Sequence, residues 1–452
     1  MTLEVLHITH QLSSGGAGKA LEALASAAKR SSHRVVSLLP ATAAARTRLS
    51  AQAIPLLEQP RAIELNACMS QADVVQIHFW NTPELYGLMT LEHNCRLVIW
   101  SHVEGSTAPH ILIPEIVNYC QALVHSCRQT DPMAISIRPS SPHRFALRSL
   151  PPGDAVPLVV GIFGSLHSSR MCTEALEVFT QAACPDSSLL VVGQGDLVPR
   201  WQRLACELNL HERVEFRGFV SNVGRELARM DVLLHLPKPG CFATADLALQ
   251  EALMAGVVPV VLSGTPVADL VQHNVDGLIA MNLHQCVEHL QTLDGDRQLL
   301  ARLRTAAQTR ANREFSSDQC TNAFEHLYEQ ICEHPRAPRR LQLEGGSSGN
   351  QRFMASLGVA AAPFRISAER AAGWQEADRQ IAASSAALVG AGAGGILHWR
   401  GAYPNDPLLR YWAGLVFNKA GRSALAAAEF SAAAKAGLIG AAERLERCRC
   451  QA

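Results

Sequence analysis

Residues 240–262 read GCFATADLALQEALMAGVVPVVL, and this stretch decides the fold of the chain. Thr244 is placed to cap a helix, with Asp246 in the first turn, where a negative charge suits the helix dipole. The apolar residues that follow predict a helix that ends at Gly256, and the β-branched end of the stretch predicts a strand covered on both faces. One acid, Glu251, interrupts the apolar helix. Because a buried acid needs a partner, Glu251 is a candidate for binding a polar ligand.

A glycine-rich turn lies near the N-terminus. Residues 3–9 predict a strand, and Gly15 and Gly16 open the helix that follows, just before Lys19. Glycines between a strand and a helix let backbone N–H groups approach a phosphate. The pattern is not a Walker A loop, since Ser13 stands where the first glycine belongs. The residues alone leave two interpretations open, a phosphate-binding turn and an ordinary tight turn.

Two later strands each carry a histidine at the C-terminal end. Residues 72–78 predict a buried strand that ends on His78, and residues 97–102 predict one that ends on His102. Open parallel sheets bind ligands at the carboxyl ends of their strands. A histidine there is either structural or functional, and the two equivalent positions keep the functional interpretation open.

The composition fits a globular protein of several domains. A chain of 452 residues exceeds one ordinary core, so two or three domains are expected. Forty basic and forty acidic residues cancel, and nucleic acid is therefore not an expected partner. No apolar run approaches the ~20 residues of a membrane span, and the N-terminus lacks a signal pattern. The thirteen cysteines are expected to be free thiols in the cytoplasm.

No metal site is predicted. The segment Asp294-Gly-Asp296 lies between amphipathic helices, where a helix-capping turn is the favoured interpretation. Cys448 and Cys450 form one close pair, but no second cysteine or histidine pair lies near them in the sequence.

The opening stretch resembles the signature of glycosyltransferase family 4, retaining enzymes of the GT-B fold that use activated, usually nucleotide-linked sugars. The family pattern has two glutamates on a loop and helix, then small residues, a glycine and a Pro-Val-Val strand. Residues 251–256 and 259–261 match its second half, while Ala243 stands where the first glutamate belongs. The resemblance covers roughly residues 1–333 and is strongest over 157–333.

The resemblance implies an α/β GT-B fold, with two Rossmann-like, doubly wound domains that face a cleft, plus an all-α C-terminal extension. The predicted segments are 1–153 (acceptor-side domain), 154–333 (donor-binding domain), 334–364 (a flexible linker by composition) and 365–452 (helical tail). The tail follows tetratricopeptide spacing, though a simple Ala-rich helical hairpin stays open. It is expected to pack on the enzyme body, to dimerise or to recruit partners.

The resemblance also implies roles for the candidate site residues. His102 would lie beside the reacting sugar, Arg170 on the donor diphosphate and Glu251 on the nucleotide ribose; these three are the candidate catalytic residues. The predicted donor-binding positions are Gly15, Gly16, Gly164, Ser165, Gly193, Ala243, Thr244 and Leu247. Arg170 stands where the family has lysine, and Ser165 where it has arginine. Without the family, Arg170 would be interpreted as a surface arginine at a helix start.

The sequence therefore predicts a retaining glycosyltransferase that moves a sugar from a nucleotide-diphosphate donor to a glycan, lipid or other hydroxyl acceptor, in surface polysaccharide or glycoconjugate synthesis. The expected partners are the nucleotide-sugar donor and a glycan or lipid-linked acceptor, with peripheral membrane contact and self-association through 365–452 left open. No cofactor is expected. The alternative is a degenerate GT-B scaffold that binds a nucleotide sugar, because Ala243 and Ser165 replace two donor-contacting groups. Donor hydrolysis or transfer assays would separate the two.

Overall fold

The chain folds into two parallel α/β units followed by a helical region. The computed structural model describes residues 2–13, 15–103, 108–126, 135–141, 145, 157–182, 184, 186–220, 222–238, 241, 246–343, 346–392 and 394–451.

The first unit is built on a seven-stranded parallel sheet. The strands of this sheet are β1 (Leu3–Gln11), β2 (Ser31–Leu39), β3 (Leu56–Glu58), β4 (Val74–Phe79), β6 (Leu97–Ser101), β7 (Ala122–His125) and β8 (Ile135–Ser136). Strand β5 (His93–Cys95) lies outside the sheet. Its helices are α1 (Gly16–Ala27), α2 (Ala43–Ala51), α3 (Ala62–Gln71), α4 (Pro83–Met89) and α5 (Pro114–Tyr119). The strand order is β3-β2-β1-β4-β6-β7-β8. Because β4 and β6 are buried along their whole length, both faces of the sheet are covered.

The second unit has a six-stranded parallel sheet with the order β11-β10-β9-β12-β13-β14. Its strands are β9 (Val159–Ser165), β10 (Ser188–Gln194), β11 (Val214–Gly218), β12 (Val232–His235), β13 (Val258–Leu262) and β14 (Leu278–Ala280). Its helices are α6 (Ala175–Gln181), α7 (Leu197–Glu207), α8 (Val223–Leu227), α9 (Leu247–Met254), a 3-10 helix (Pro266–Leu270), α10 (Leu283–Gly295), α11 (Arg297–Glu314) and α12 (Ser317–Cys332). The two sheets and their flanking helices form the predicted α/β GT-B architecture.

In each sheet the strand order reverses once: the strands that come next in sequence lie on one side of the first strand, and the later ones lie on its other side. The first sheet switches between β1 and β4, and the second between β9 and β12. Ligands of doubly wound sheets bind outside the carboxyl ends of the strands at such a switch point. The segments that follow β1, β4, β9 and β12 are therefore the places to look for a site.

Helix α12 ends the second unit in sequence but packs against the first unit. The Phe324 ring lies 4.6 Å from that of Trp100, and the Tyr328 hydroxyl donates a hydrogen bond to Gln76 Oε1 at 2.6 Å. At the far end of the sheet, the backbone N–H groups of Lys29 and Arg30 donate to the Glu325 carboxylate. This helix thereby ties the two units together.

The segment predicted to be a flexible linker, 334–364, is largely structured. Strand β15 (Ala337–Arg339) pairs antiparallel with β5, and α13 (Gly349–Ser356) follows it. Leu341, Phe353 and Leu357 are buried against the first unit. The prediction of flexibility is wrong over these elements. It was based on the Pro-, Gly- and Ser-rich composition, whereas a few apolar residues of the segment are buried and hold it against the first unit.

The helical region continues to Gln451. Its elements are a 3-10 helix (Gly358–Ala361), α14 (Ala362–Glu369), α15 (Trp374–Ala382), α16 (Ala386–Val389), α17 (Ile396–Ala402), α18 (Pro407–Lys419), α19 (Ser423–Lys435) and α20 (Ala441–Gln451). It shares one hydrophobic core with the first unit, where the Trp399 ring lies 5.7 Å from that of Tyr86. Packing on the body is thus observed, while the tetratricopeptide assignment stays a prediction. Among the described residues, no helix is both long enough and apolar enough to cross a membrane.

Helices α18 and α19 pack closely because Gly414 has no side chain. A Cβ at this position would lie 2.6 Å from the Phe430 ring. We expect Gly414→Ala to destabilise the protein by up to about 2 kcal/mol, since overpacking costs about 1–3 kcal/mol and alanine recovers about 1 kcal/mol of helix propensity. Chemical denaturation measures the difference.

The matched control for that substitution is Gly401→Ala in α17, where a Cβ would meet nothing within 4 Å. We expect Gly401→Ala to be neutral or slightly stabilising. Equal effects of the two substitutions would show that the α18–α19 seam tolerates a larger residue.

Candidate functional site

Helix α9 carries the site of the second unit, and its N-cap is Asp246. The Asp246 carboxylate accepts the backbone N–H of Leu249 at 3.1 Å, and its backbone has a positive φ of 27°. The sequence-based prediction of Thr244 as the cap, with Asp246 inside the first turn, is therefore wrong: the helix begins at Leu247. Thr244 and Ala243 lie outside the described residues. The predicted helix end is confirmed, because Gly256 follows the C-cap with a φ of 74°.

Asp246 also pairs with two basic side chains from the neighbouring loops. Its Oδ2 lies 2.5 Å from Arg170 Nη2 and 2.7 Å from His235 Nε2, and the Asp246 and His235 side chains are almost fully buried. Burial opposes ionisation of this carboxyl, but the charges of His235 and Arg170 outweigh it and hold the Asp246 pKa well below its usual range. Arg170 is consequently a partly buried residue of a turn, not a surface arginine at a helix start.

The glycine turn of the first unit meets α9 of the second. A Cβ on Gly16 would have Leu247 Cδ1 as its nearest neighbour, at 3.9 Å, so the turn leaves space in front of the start of α9. No described side chain caps α1, whose N-cap is Gly15. Its first N–H groups are therefore available to a ligand.

Glu251 lies at the same junction. Its Oε1 accepts a hydrogen bond from Ser141 Oγ at 2.8 Å and lies 3.7 Å from Lys19 Nζ of α1. The Glu251 side chain is 1 % exposed, and that of Lys19 is 23 % exposed. An ion pair between α1 and α9 thus crosses from one unit to the other. Neither Lys19 nor Ser141 was predicted as a partner of this acid, although Lys19 directly follows the glycine turn.

Three further predicted donor-binding positions lie at the ends of β9 and β10. Gly164 has a φ of 119°, and a Cβ there would lie 3.2 Å from Ala248 Cβ at the start of α9. Ser165 beside it is exposed. A Cβ on Gly193 would clash with the Gly164 carbonyl oxygen at 2.0 Å. Gly193 therefore lets the two strand ends pack together.

His102 follows β6 in the first unit and is buried. Its ring is nearly parallel to that of His78 and meets it edge to edge, with centroids 5.3 Å apart and Nε2 3.1 Å from His78 Nδ1. The centroid of the Trp80 ring lies 6.0 Å from that of His102. Burial, with a smaller contribution from His10, lowers the pKa of His102 to about 3. His102 is thus a neutral imidazole at pH 7.

The structure brings most of the predicted residues to one junction. Gly15, Gly16, Gly164, Leu247 and Glu251 surround the start of α9, and Arg170 reaches its cap. Among the described residues, no hydrogen bond or ion pair connects His102 to Arg170 or Glu251. Asp296, part of the segment interpreted as a capping turn, does cap α11 by accepting the Leu299 N–H at 2.8 Å.

Comparisons with known proteins agree with this architecture. Residues 157–294 match the family model of glycosyl transferases group 1. The crystal structure of HepE from Anabaena in complex with UDP and glucose has a TM-score of 0.60 and 18 % identity, covering 73 % of this chain and 100 % of HepE. That of a glycosyltransferase from Rickettsia africae has a TM-score of 0.57 and 14 % identity, covering 74 % of this chain and 99 % of that one.

A curated relative adds a partial match. An exopolysaccharide phosphotransferase of Streptomyces coelicolor is 27 % identical over 181 residues, which are 39 % of this chain and 19 % of the relative. The chain thus spans about a fifth of the length of that protein. The two structural likenesses establish the GT-B fold, and together with the family match over the second unit they support a GT-B glycosyltransferase.

Proposed function

We propose that the chain transfers a sugar from a nucleotide-diphosphate donor to a hydroxyl acceptor, with retention of the anomeric configuration. The observation that carries this proposal is the Lys19–Glu251 pair at 3.7 Å. It brings the glycine turn of one unit and the acid of α9 in the other to one place, at the switch points of both sheets. A nucleotide sugar needs both features, a cationic turn for its phosphates and an acceptor for its ribose hydroxyls.

The donor diphosphate would lie between the starts of α1 and α9. The uncapped N–H groups of α1 and its helix dipole attract an anion. Lys19 and Arg170 supply positive charge from opposite sides, and this charge would stabilise the phosphate as the glycosidic bond breaks. The segment after β9 offers a single cation, Arg170, because Ser165 is uncharged.

Glu251 would accept hydrogen bonds from the ribose hydroxyls. In the structure its carboxylate is occupied by Ser141 and Lys19. Donor binding would exchange these partners: Lys19 would move to the phosphate and the ribose would take its place. The exchange keeps the buried carboxylate paired at every stage, as its 1 % exposure requires.

The chemical step needs positioning more than a protein base. We propose that the leaving phosphate takes the proton of the acceptor hydroxyl while the new bond forms on the same face of the sugar. His102, neutral at pH 7, would contact the sugar without exchanging a proton with bulk water. Closure of the two units would exclude water, whose attack would hydrolyse the donor. No step of this scheme uses a metal ion.

The second candidate function is a scaffold that binds a nucleotide sugar without turnover. The observation that favours it is that Glu251 and Arg170 are both already paired with protein groups. Ala243 and Ser165 would then mark lost catalytic contacts. The helical region would recruit partners.

A panel of nucleotide sugars separates the two candidates, and UDP-glucose is the first member to test because HepE is in complex with UDP and glucose. Release of the nucleoside diphosphate in the presence of sugar and lipid-linked acceptors would support transfer. Donor binding without any release would favour the scaffold, and an inverted anomeric configuration in the product would overturn the retaining step.

The ribose assignment has its own prediction. We expect Glu251→Gln to weaken nucleotide binding about ten- to hundred-fold, because each hydrogen bond to a charged group contributes about 1.5–3 kcal/mol. The donor-dependent rise in melting temperature should shrink accordingly. Glu226→Gln is the matched control, since Glu226 is a buried acid of the same unit that pairs with Arg217 and Arg229. Equal donor-dependent shifts in the two variants would remove the ribose assignment.

A further inference from the structure

A continuous set of buried polar side chains crosses the first sheet from the end of β6 to the start of β2. We call this set the histidine row; its members are His102, His78, His7, His33, Ser31 and Glu325. His78 Nε2 lies 3.1 Å from His7 Nδ1, and His7 Nε2 lies 2.7 Å from His33 Nδ1. With the contact of 3.1 Å between His102 and His78, four imidazoles are linked end to end.

The row ends on an acid. His33 Nε2 lies 2.9 Å from Ser31 Oγ, and the Ser31 hydroxyl donates to Glu325 Oε1 at 3.3 Å. Burial opposes ionisation of Glu325, but the N–H groups of Arg30 and Lys29 and the Arg30 guanidinium outweigh it and lower its pKa. Glu325 is therefore a carboxylate, which can only accept hydrogen bonds.

All four imidazoles are neutral at pH 7. Burial lowers the pKa of His33 to about 4 and that of His102 to about 3. Burial lowers the pKa values of His7 and His78 well below the ordinary value as well. Each ring therefore has one N–H donor and one bare nitrogen, and each contact in the row needs one of each.

The carboxylate sets the direction of every bond in the row. Because Ser31 donates to Glu325, its oxygen accepts from Nε2–H of His33, which leaves His33 Nδ1 bare. His7 then donates from Nε2 to that nitrogen, and the same reasoning passes along His78 to His102. His102 must use Nε2–H as its donor, so its Nδ1 is bare. None of the described residues hydrogen-bonds this Nδ1.

We propose that the histidine row is a positioning device that locks His102 in the Nε2–H tautomer, so that Nδ1 faces the substrate as a hydrogen-bond acceptor for a sugar hydroxyl. The contact with a sugar rests on the proposed function, whereas the tautomer follows from the row alone. His78, His7, His33, Ser31 and Glu325 act on the substrate only through His102. The negative charge at the far end reinforces the lock, since all four N–H groups point toward it.

The test changes one atom of the row far from His102. Ser31→Ala removes the hydroxyl that joins His33 to Glu325, and Ser31→Thr keeps it. Proteins labelled with ¹⁵N-histidine are compared by NMR, with the His102 signals assigned from the His102→Gln spectrum. We expect a single Nε2–H tautomer at His102 in the wild type and in Ser31→Thr, and a mixture or the Nδ1–H form in Ser31→Ala. An Nδ1–H tautomer in the wild type, or an unchanged tautomer in Ser31→Ala, would overturn the lock.

Kinetics with a nucleotide-sugar donor provide the second readout. We expect Ser31→Ala to lower kcat several-fold with an unchanged KM for the donor, and Ser31→Thr to restore kcat. A tautomer change with unaltered kcat would overturn the role toward the substrate. If the wild type turns over no donor while its His102 shows the expected tautomer, the proposed function fails and the lock stands.

Discussion

Arg170→Ala is expected to lower donor turnover by about 10²–10³-fold, which is the usual loss when one preorganised charge is removed from a transition state. Arg170 stands where the family that the sequence resembles has lysine, and its guanidinium lies at the cap of α9 beside the proposed phosphate position. The effect should fall mainly on kcat, because charge builds up on the phosphate as the bond breaks. Measurement of nucleotide release at saturating donor gives the number.

Two variants control for the other role of Arg170, its ion pair with Asp246. Arg170→Lys keeps a positive charge beside both Asp246 and the proposed donor phosphate. It should recover much of the turnover, though lysine cannot form the bidentate contact. Arg203→Ala removes an exposed arginine from α7 of the same unit and should leave turnover unchanged. A loss of less than tenfold in Arg170→Ala, in protein with an unchanged melting temperature, would remove Arg170 from the catalytic step.

Acidification from pH 7 to pH 5 is expected to destabilise the first unit by several kcal/mol, at about 2 kcal/mol for each histidine that is buried in neutral form. Burial lowers the pKa values of His10, His33 and His110 to about 4 and that of His102 to about 3. Below pH 6.5 the unfolded chain binds protons at these rings, while the folded chain does not. The free energy of unfolding therefore falls as the pH drops from 6.5 toward about 4, by about 2 kcal/mol for each ring at pH 5.

The buried carboxyl of Asp246 does not contribute to this effect. The carboxyl of Asp246 has a lowered pKa in the folded state, so it remains ionised in both folded and unfolded chains between pH 5 and pH 7. Its contribution is lost only below this window. Denaturant titrations at several pH values measure how steeply the free energy of unfolding falls with pH. Hydrogen exchange of the β1 and β4 amides shows whether the loss of stability belongs to the first unit.

His33→Gln tests whether buried histidines cause this pH dependence of the free energy of unfolding. Glutamine does not titrate, so this variant should lose about 2 kcal/mol less than the wild type between pH 7 and pH 5. His284→Gln is the control, because His284 is 82 % exposed. A wild-type stability that stays level over this pH range would show that the buried histidines are reached by water.

The sequence predicted the fold because its strands are short, apolar and regularly spaced. Residues 257–262, for example, became β13 (Val258–Leu262), covered on both sides. The positions of His78 and His102 at the carboxyl ends of β4 and β6 were also predicted, since each follows a run of apolar residues. Gly256 predicted the end of α9, because a positive φ at this place favours glycine.

The partners within the site could not be predicted. Lys19 and Glu251 belong to different units, and only the relative placement of those units makes them a pair. The cap of α9 was assigned to Thr244 because a hydroxyl is as good a cap as a carboxylate. Asp246 is the cap in the structure, and its contacts with Arg170 and His235 could not be read from the sequence.

The histidine row was missed for a similar reason. His7 and His33 lie inside β1 and β2, and each by itself is an ordinary buried histidine. Their contact depends on the register of β1 against β2 and β4, in which Val5 faces His33 and Thr9 faces His78. A single sequence does not contain that register.

The most direct test of the central claim is the structure of the full chain with bound UDP. We predict that its diphosphate lies between Gly15–Gly16 and the start of α9, with Lys19 Nζ moved from Glu251 to a phosphate oxygen and the ribose hydroxyls donating to the Glu251 carboxylate. A nucleotide bound elsewhere, or a ribose out of reach of Glu251 with the Lys19–Glu251 pair still intact, would contradict the account.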